Sequence, residues 1–287
     1  MGSLGIDIGG SSVKVCLLEG GACSTARSNG YTNPTRKVLS EAIKEALALL
    51  GEIPASTVGL CLPGKQSDDG ESIEVSVNLP CLNGWVFDEL LASSLGDVPE
   101  NYSVVSDVQA AGEDFMCAHK CVGRTAIIAI GTGVGLAVFD DGVAIGIGER
   151  GIGHLGMMDM GRLGACDLVA PDGSKNTLES YIGTRAMELR FPDVEPKHLP
   201  DSIGTLSSNE PSMQALVRAI RMVHAIYVPD QVVLMGGVGI AIKPMNTELD
   251  STIRDGLTSL AKTDWRLMFG DSAYHAARGA ARSSGLV

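Results

Sequence analysis

Gly5-Ile6-Asp7-Ile8-Gly9-Gly10-Ser11-Ser12-Val13-Lys14, at the head of the 287-residue chain, decides how the rest is read. Leu4–Ile8 is a short apolar run that predicts a buried strand, Gly9 to Ser12 a turn, and Val13–Leu18 the return strand. In that return, Val13, Val15 and Leu17 alternate onto one face, the period of a half-buried strand. A turn made of glycines lets backbone N–H groups converge on a phosphate with no side chain in the way. Asp7, two residues before Gly9, is placed to hold a Mg²⁺ ion through water. The same sentence is written again further on: strand Ala126–Ile130, turn Gly131-Thr132-Gly133-Val134-Gly135, strand Leu136–Phe139. Asp140-Asp141-Gly142 is then a hairpin turn leading into Val143–Ile147. Two halves that each open with strand, glycine turn and strand predict two related α/β lobes facing one another. One such hairpin alone is only a tight turn. Two of them, with a third glycine cluster Gly236-Gly237-Val238-Gly239 behind the buried strand Val232–Met235, point to a bound nucleotide.

Working outward, Asn33 as N-cap, Pro34 as first residue and Gly51 past the end bracket a helix. Its stripe is Leu39, Ala42, Ile43, Ala46, Leu47 and Leu50. Val58–Leu62 reads as a buried strand ending at Pro63-Gly64, and Val104–Ser106 as another. Asp107 follows, where that strand passes into a helix through Cys117. A carboxylate there can accept the proton of an attacking hydroxyl, or it can cap the helix; the residues alone leave both open. Ser212–Tyr227 is helical by period, and His224 on its apolar stripe reads as a packed core histidine. Residues 148–210 read as substrate loops plus one short helix near Leu178–Leu189. His154, with no apolar stripe to belong to, is a candidate site residue, while Trp85 is either the stacking wall of a binding site or packing beneath a loop.

A formal net charge of −12 argues against broad contact with nucleic acid or an anionic membrane. Apolar runs stay short of the roughly 20 residues of a membrane span, and no leader pattern is visible. Seven cysteines, an odd number without a C-x-x-C pair, predict a reduced, disulfide-free, cytoplasmic protein. Cys117 and Cys121, one helical turn apart, read as core filler.

The Gly5–Lys14 stretch resembles the first phosphate motif of the ROK group of sugar kinases, in the actin/hexokinase/Hsp70 ATPase superfamily. Leu62-Pro63-Gly64, Asn78-Leu79-Pro80 with Trp85, and Ser106-Asp107-Val108-Gln109-Ala110-Ala111-Gly112-Glu113 follow in the family's order. So do Gly131–Gly135, Gly153-His154, Leu178-Glu179-Ser180-Tyr181, Gly236–Gly239 and a closing Gly279-Ala280-Ala281. The resemblance implies two ribonuclease-H-like lobes, each a mixed β-sheet with flanking helices, around an ATP/sugar cleft. The lobes would be 1–116 with 273–287, and 117–272. It implies an ATP-dependent sugar kinase using Mg²⁺ near Asp7, with Asp107 as catalytic base. Gly9, Gly10, Ser11, Ser12 and Lys14, with Gly131, Thr132 and Gly133, would hold the phosphates. Gly236, Gly237 and Gly239 would lie under the adenosine. Gly64, Asn78, Ser106, His154 and Glu179 would meet the sugar, and the molecule would be a homodimer.

Departures carry as much. Family members acting on glucose-like sugars usually have Asn before the catalytic Asp, where this chain has Ser106. They usually have Glu three residues before the motif His, where it has Gly151, with Glu149 and Arg150 displaced upstream. Many bind structural zinc through that His and a C-x-C-G-x-x-G-C cluster; here only Cys166 stands in that stretch, so no zinc is expected. The rival readings are a sugar sensor related to transcription regulators, disfavoured because the first motif begins at Gly5, and a kinase of a polyol or acyl substrate.

Overall fold

The first strand, β1 (Gly2–Ile8), places Leu4, Ile6 and Ile8 on one face and Gly5 and Asp7 on the other. The computed structural model describes residues 2–51, 55–146, 154–165, 167–170 and 173–285. They divide into two compact units, residues 1–120 with 146–152 and 274–287, and residues 121–145 with 153–273.

In the first unit β1 pairs antiparallel with β2 (Val13–Glu19), which pairs antiparallel with β3 (Ala22–Arg27). On its other side β1 runs parallel to β4 (Ala55–Leu62), with a small hairpin of β5 (Lys65–Gln66) and β6 (Ile73–Val75) following. The sheet closes with β7 (Tyr102–Ser106), parallel to β4, in the order β3-β2-β1-β4-β7. Helix α1 (Arg36–Leu50) packs its stripe of Leu39, Ile43 and Ala46 against the Ile6 face, in one core with Leu60, Leu90 and Leu91. It starts at Arg36 because Thr35, not Asn33, is the cap: Thr35 Oγ1 accepts from Val38 N at 3.3 Å, while Asn33 sits at φ 45°. Gly51 closes the helix as expected. Helices α2 (Phe87–Leu95) and α3 (Asp107–His119) complete the unit with the C-terminal helix His275–Ser284.

That C-terminal helix covers the other face of the sheet, where Gly5 of β1 and Gly59 of β4 leave room for its backbone. A Cβ on Gly5 would lie 1.9 Å from Ala277 O, and one on Gly59 1.8 Å from Ala280 O. Gly279 makes the reciprocal approach, its Cβ position 1.7 Å from Ala110 O of α3. Backbone thus meets backbone at three places along one helix, which no larger residue permits.

The second unit repeats the order. Strands β8 (Arg124–Ile130), β9 (Val134–Asp140) and β10 (Val143–Ala144) are antiparallel, the β9–β10 turn using positive φ at Asp141 and Gly142 as the Asp-Gly pair predicts. Helices α4 (Leu178–Ile182), α5 (Thr184–Arg190), α6 (Leu199–Ile203) and α7 (Pro211–Tyr227) follow. Strand β11 (Gln231–Met235) runs parallel to β8, and after α8 (Gly236–Ala241) and α9 (Asn246–Asp255) comes β12 (Arg266–Phe269), parallel to β11. The order β10-β9-β8-β11-β12 matches the first sheet strand for strand. Each half is therefore the mixed α/β layer its opening hairpin promised.

Three readings need correction. The single helix near Leu178–Leu189 is two, broken at Gly183. The Gly236–Gly239 turn is the first turn of α8. Cys121 lies off the helix of Cys117, because α3 ends at His119 and Lys120 turns left-handed. Trp85 is 4% exposed under the Arg36 guanidinium, which is packing, and His224 is 1% exposed, edge-on to Trp265 in the core. Among the described residues no helix is long and apolar enough to cross a membrane.

Candidate active site

Strands β1, β4 and β7 run parallel, so their carboxyl ends share one edge, where open α/β sheets bind ligands. Register puts Asp7 opposite Cys61, Cys61 opposite Val105, and Leu62 opposite Ser106. Asp7, Gly64 and Asp107 are thereby collected at that edge from three distant stretches of sequence. Asp7 is 3% exposed, and Lys14, its direct partner across the β1–β2 hairpin, gives it a 2.9 Å ion pair to Oδ2. The glycine turn between them is braced by Tyr31, whose N–H donates to Ser11 O at 2.9 Å and whose hydroxyl donates to Gly9 O at 2.5 Å. Gly9 N donates to Ser12 O at 3.1 Å, and the buried Ser12 hydroxyl accepts from Arg27 Nε at 2.9 Å.

Ser106, not Asp107, caps α3: its Oγ accepts from Gln109 N at 3.2 Å. Asp107 is the first helical residue, its Oδ1 taking the Val108 N–H at 2.8 Å. The capping role that sequence left open for Asp107 is filled by its neighbour. Burial, and then the negative charge of Asp7, push the Asp107 carboxyl up from 3.8 to about 6, against the pull of the Val108 N–H and of Lys14. Its side chain stays half-buried, so a solute can reach it. Cys61 lies behind, fully buried, its Sγ 3.8 Å from Asp7 Oδ1. Burial and then Asp7 push that thiol well up, so it stays protonated.

In the second unit the parallel strands β8 and β11 end at the Gly131–Gly133 hairpin and at Gly236. Gly131 N donates to Gly133 O at 2.9 Å, and Thr184 N donates to Gly131 O at 2.8 Å. Gly236, at φ 79°, lies where a Cβ would fall 2.4 Å from Ile130 O, so the two glycine segments are in backbone contact. Glu179, 8% exposed on α4, accepts from Val134 N at 3.1 Å through Oε2, and Gly156 approaches the same oxygen. Its carboxylate therefore joins the second hairpin to the segment carrying His154, which is exposed.

The family model that matches residues 3–281 is described as the ROK family. The chain belongs to the ROK family. A curated relative, the kanosamine kinase of Amycolatopsis mediterranei (strain S699), is 27% identical over 266 residues, covering 88% of this chain and 86% of its own. Among solved structures, a ROK family glucokinase from Streptomyces griseus in complex with glucose and AMPPNP superposes with a TM-score of 0.75 at 17% identity over 100% of both chains. A ROK hexokinase from Thermus thermophilus superposes at 0.66, with 20% identity over 100% of this chain and 98% of its own. The fold also extends to a ROK transcriptional regulator homologous to the E. coli MLC protein, at a TM-score of 0.70 and 16% identity over 99% of this chain and 78% of its own.

Within this ROK chain, the first unit gathers Asp7, Gly9, Gly10, Ser11, Ser12, Lys14, Gly64, Ser106 and Asp107, and the second gathers Gly131, Thr132, Gly133, Gly236, Gly237, Gly239 and Glu179. Gly64 is held at φ 124° with its Cβ position 2.6 Å from Val75 O. Asn78 is half-buried beyond β6. Glu149, Arg150, Gly151, Gly153 and Cys166 lie outside the described residues. Gln109, within the Ser106–Glu113 motif, donates through Nε2 to Glu113 Oε1 at 2.9 Å. Sequence reasoning missed Tyr31 and Cys61; neither sits in a motif, and only the fold brings them to the site, Cys61 through its register opposite Asp7 and Tyr31 through its bonds to the Gly9–Ser11 turn. The donor set suits a hard cation: two carboxylates, Asp7 and Asp107, repel one another beside a single lysine. A Mg²⁺ held through water would offset the remaining negative charge. Among the described residues no group of three or more His, Cys, Asp or Glu could hold a metal directly.

Proposed function

We propose that this ROK protein transfers the terminal phosphoryl group of ATP to a sugar hydroxyl, with Asp107 as the base. The observation that carries this is the Asp107 carboxylate itself: released from capping by Ser106, half-open at the carboxyl edge of three parallel strands, and raised to about 6. A base with that value is ionised at neutral pH yet still has affinity for the hydroxyl proton. Phosphoryl transfer passes through a loose transition state, so positioning and charge neutralisation do most of the work. Gly9, Gly10 and Ser11, braced by Tyr31, and Gly131, Thr132 and Gly133, braced by Glu179 and Thr184, present the backbone of their turns to the phosphates. Lys14, anchored by Asp7, adds a fixed positive charge, and Gly236, Gly237 and Gly239 accept the adenosine. Asp7 would hold, through water, a Mg²⁺ ion arriving with ATP, which would supply further neutralisation of phosphate charge.

The acceptor is a sugar met by Asn78, His154 and Glu179, and glucose is a poor one. Ser106 spends its oxygen on the Gln109 N–H, where a longer Asn amide would reach outward. Gly151 offers no carboxylate. Losing partners for buried hydroxyls costs about 1–3 kcal/mol each, so kcat/KM for glucose should fall roughly 10²–10⁴-fold below that of a fully equipped site. The test is a panel of glucose, mannose, kanosamine, N-acetylated amino sugars and polyols with Mg-ATP, reading ADP release, with Asp107→Asn in parallel. Turnover of one sugar that vanishes in Asp107→Asn supports the reading. No turnover on any member, or turnover that survives Asp107→Asn, overturns it.

A further inference from the structure

The face of the first sheet that carries Asp7 and Lys14 also carries, one residue pair further along, Cys16. It stands directly opposite Gly5 on β1 and opposite Thr25 on β3. Two positions along β3, in register with Leu18, is Cys23. Alternation puts Cys16 and Cys23 on the same face of neighbouring strands, as diagonal neighbours. Their sulfurs lie 2.9 Å apart, within hydrogen-bond distance. The two are unlike in access. Cys16 is wholly buried, whereas Cys23 is exposed on β3, the edge strand of the sheet. Both are free thiols here.

We propose that Cys16 and Cys23 form a peroxide-responsive dithiol, with Cys23 the sulfur that meets the oxidant and Cys16 the sulfur that resolves it. A thiolate at Cys23 attacks one oxygen of a hydroperoxide; the O–O bond breaks, leaving Cys23 as a sulfenic acid and releasing hydroxide or alkoxide. The Cys16 sulfur then attacks the sulfenic sulfur. An S–S bond forms, the S–O bond breaks, and the oxygen leaves as water with the Cys16 proton. Two thiols have lost two electrons, and the peroxide has gained them. The division of labour follows from position. Burial raises the Cys16 thiol far above its ordinary value, so it does not compete for oxidant, while the nearby Arg278 guanidinium acts in the opposite direction, toward the thiolate. The sulfurs need only close from 2.9 Å to a bond of about 2.05 Å. The product staples edge strand β3 to β2, the strand that carries Lys14.

The test is mass spectrometric and does not depend on catalysis. Trypsin cuts after Lys14 and after Arg27, and no Lys or Arg lies between. Both cysteines therefore fall in one peptide, Val15–Arg27. The reduced protein is treated with hydrogen peroxide, remaining thiols are alkylated, and that peptide is weighed before and after dithiothreitol. The expected result is a peptide lighter by two hydrogens and free of alkyl groups, which takes up two alkyl groups after reduction. Cys23→Ser, a change at an exposed position, should abolish the loss of two hydrogens. Cys16→Ser should leave Cys23 to go on to the sulfinic and sulfonic acids. The inference is overturned if wild-type Cys23 acquires two or three oxygens instead of losing hydrogen, or if both cysteines stay alkylatable while other thiols oxidise. Pairing of Cys23 with any cysteine other than Cys16 also overturns it.

Discussion

Lys14 Nζ and Asp7 Oδ2 lie 2.9 Å apart as directly opposed residues of the first hairpin, with Asp7 3% exposed. The glycine turn between them is what brings the two together, and the pairing raises the Lys14 pKa through the Asp7 charge. Removing one partner strands a buried charge. Lys14→Met should therefore cost about 3–5 kcal/mol of folding stability. The double variant Asp7→Asn/Lys14→Met should recover much of that loss. Denaturant unfolding of the wild type, Lys14→Met, Asp7→Asn and the double variant measures the coupling; additive losses would show that the pair is not a unit.

The raised carboxyl of Asp107 has consequences for both rate and stability. Only its ionised form takes a proton, so kcat/KM for the acceptor should climb through pH of about 6 and level off above. Asp7→Asn removes a repelling charge and should move that limb to lower pH. Asp107→Asn should lower kcat by roughly 10²–10⁴-fold while leaving nucleotide binding intact. Stability moves the opposite way. The folded pKa exceeds the unfolded one, so the native state carries no penalty below about pH 4 and the full penalty above about pH 6. Asp107→Asn should thus melt above wild type at neutral pH and lose that advantage in acid.

His224, 1% exposed, has no hydrogen-bond partner among the described residues for either ring nitrogen. Burial, with the charge of Arg254, pushes its pKa down from 6.5 to about 4. A depressed histidine contributes stability that is complete above the unfolded value and is lost as pH falls toward the folded one. Between pH 6.5 and 4 the protein should therefore lose about 2–3 kcal/mol through this residue. His224→Leu should flatten that part of the stability profile. An unchanged slope would place the acid sensitivity elsewhere.

Gly59 and Gly5 leave the sheet bare where the C-terminal helix crosses it. Gly59→Ala would put a methyl group 1.8 Å from Ala280 O, a backbone atom of a helix held on its far side by Gly279 against Ala110. Retreat of the helix would disturb its contact with Ala110, and overpacking of this kind costs about 1–3 kcal/mol or more. Because Asp7 and Asp107 stand on the elements the helix clamps, Gly59→Ala should lower both the melting temperature and kcat. Gly142→Ala, with open space around its Cβ position, serves as the control for an added methyl at a strained backbone.

What the sequence by itself determined was whatever depends on near neighbours. Apolar runs of β length, glycine pairs and Asp-Gly turns specify strands and hairpins locally, so both opening hairpins, α7 and the order of motifs were legible, and with them the repeated sheet. The tertiary structure decided the rest. Strand β3 (Ala22–Arg27) is mostly exposed and polar, and is a strand only because β2 offers it hydrogen bonds. Ser106 and Asp107 are both good caps by type; which one caps was settled by where β7 ends. Glu179 is 45 residues from Val134 and Tyr31 is 22 from Gly9, so no local pattern ties either to its glycine turn. The elevation of Asp107 likewise needs Asp7, a hundred residues away in sequence and brought near by β4 between them. Charges act through space and burial is a property of the packed chain, whereas propensity is read from adjacent residues. Motifs could therefore nominate Asp7 and Asp107, and only the folded sheet set their electrostatics.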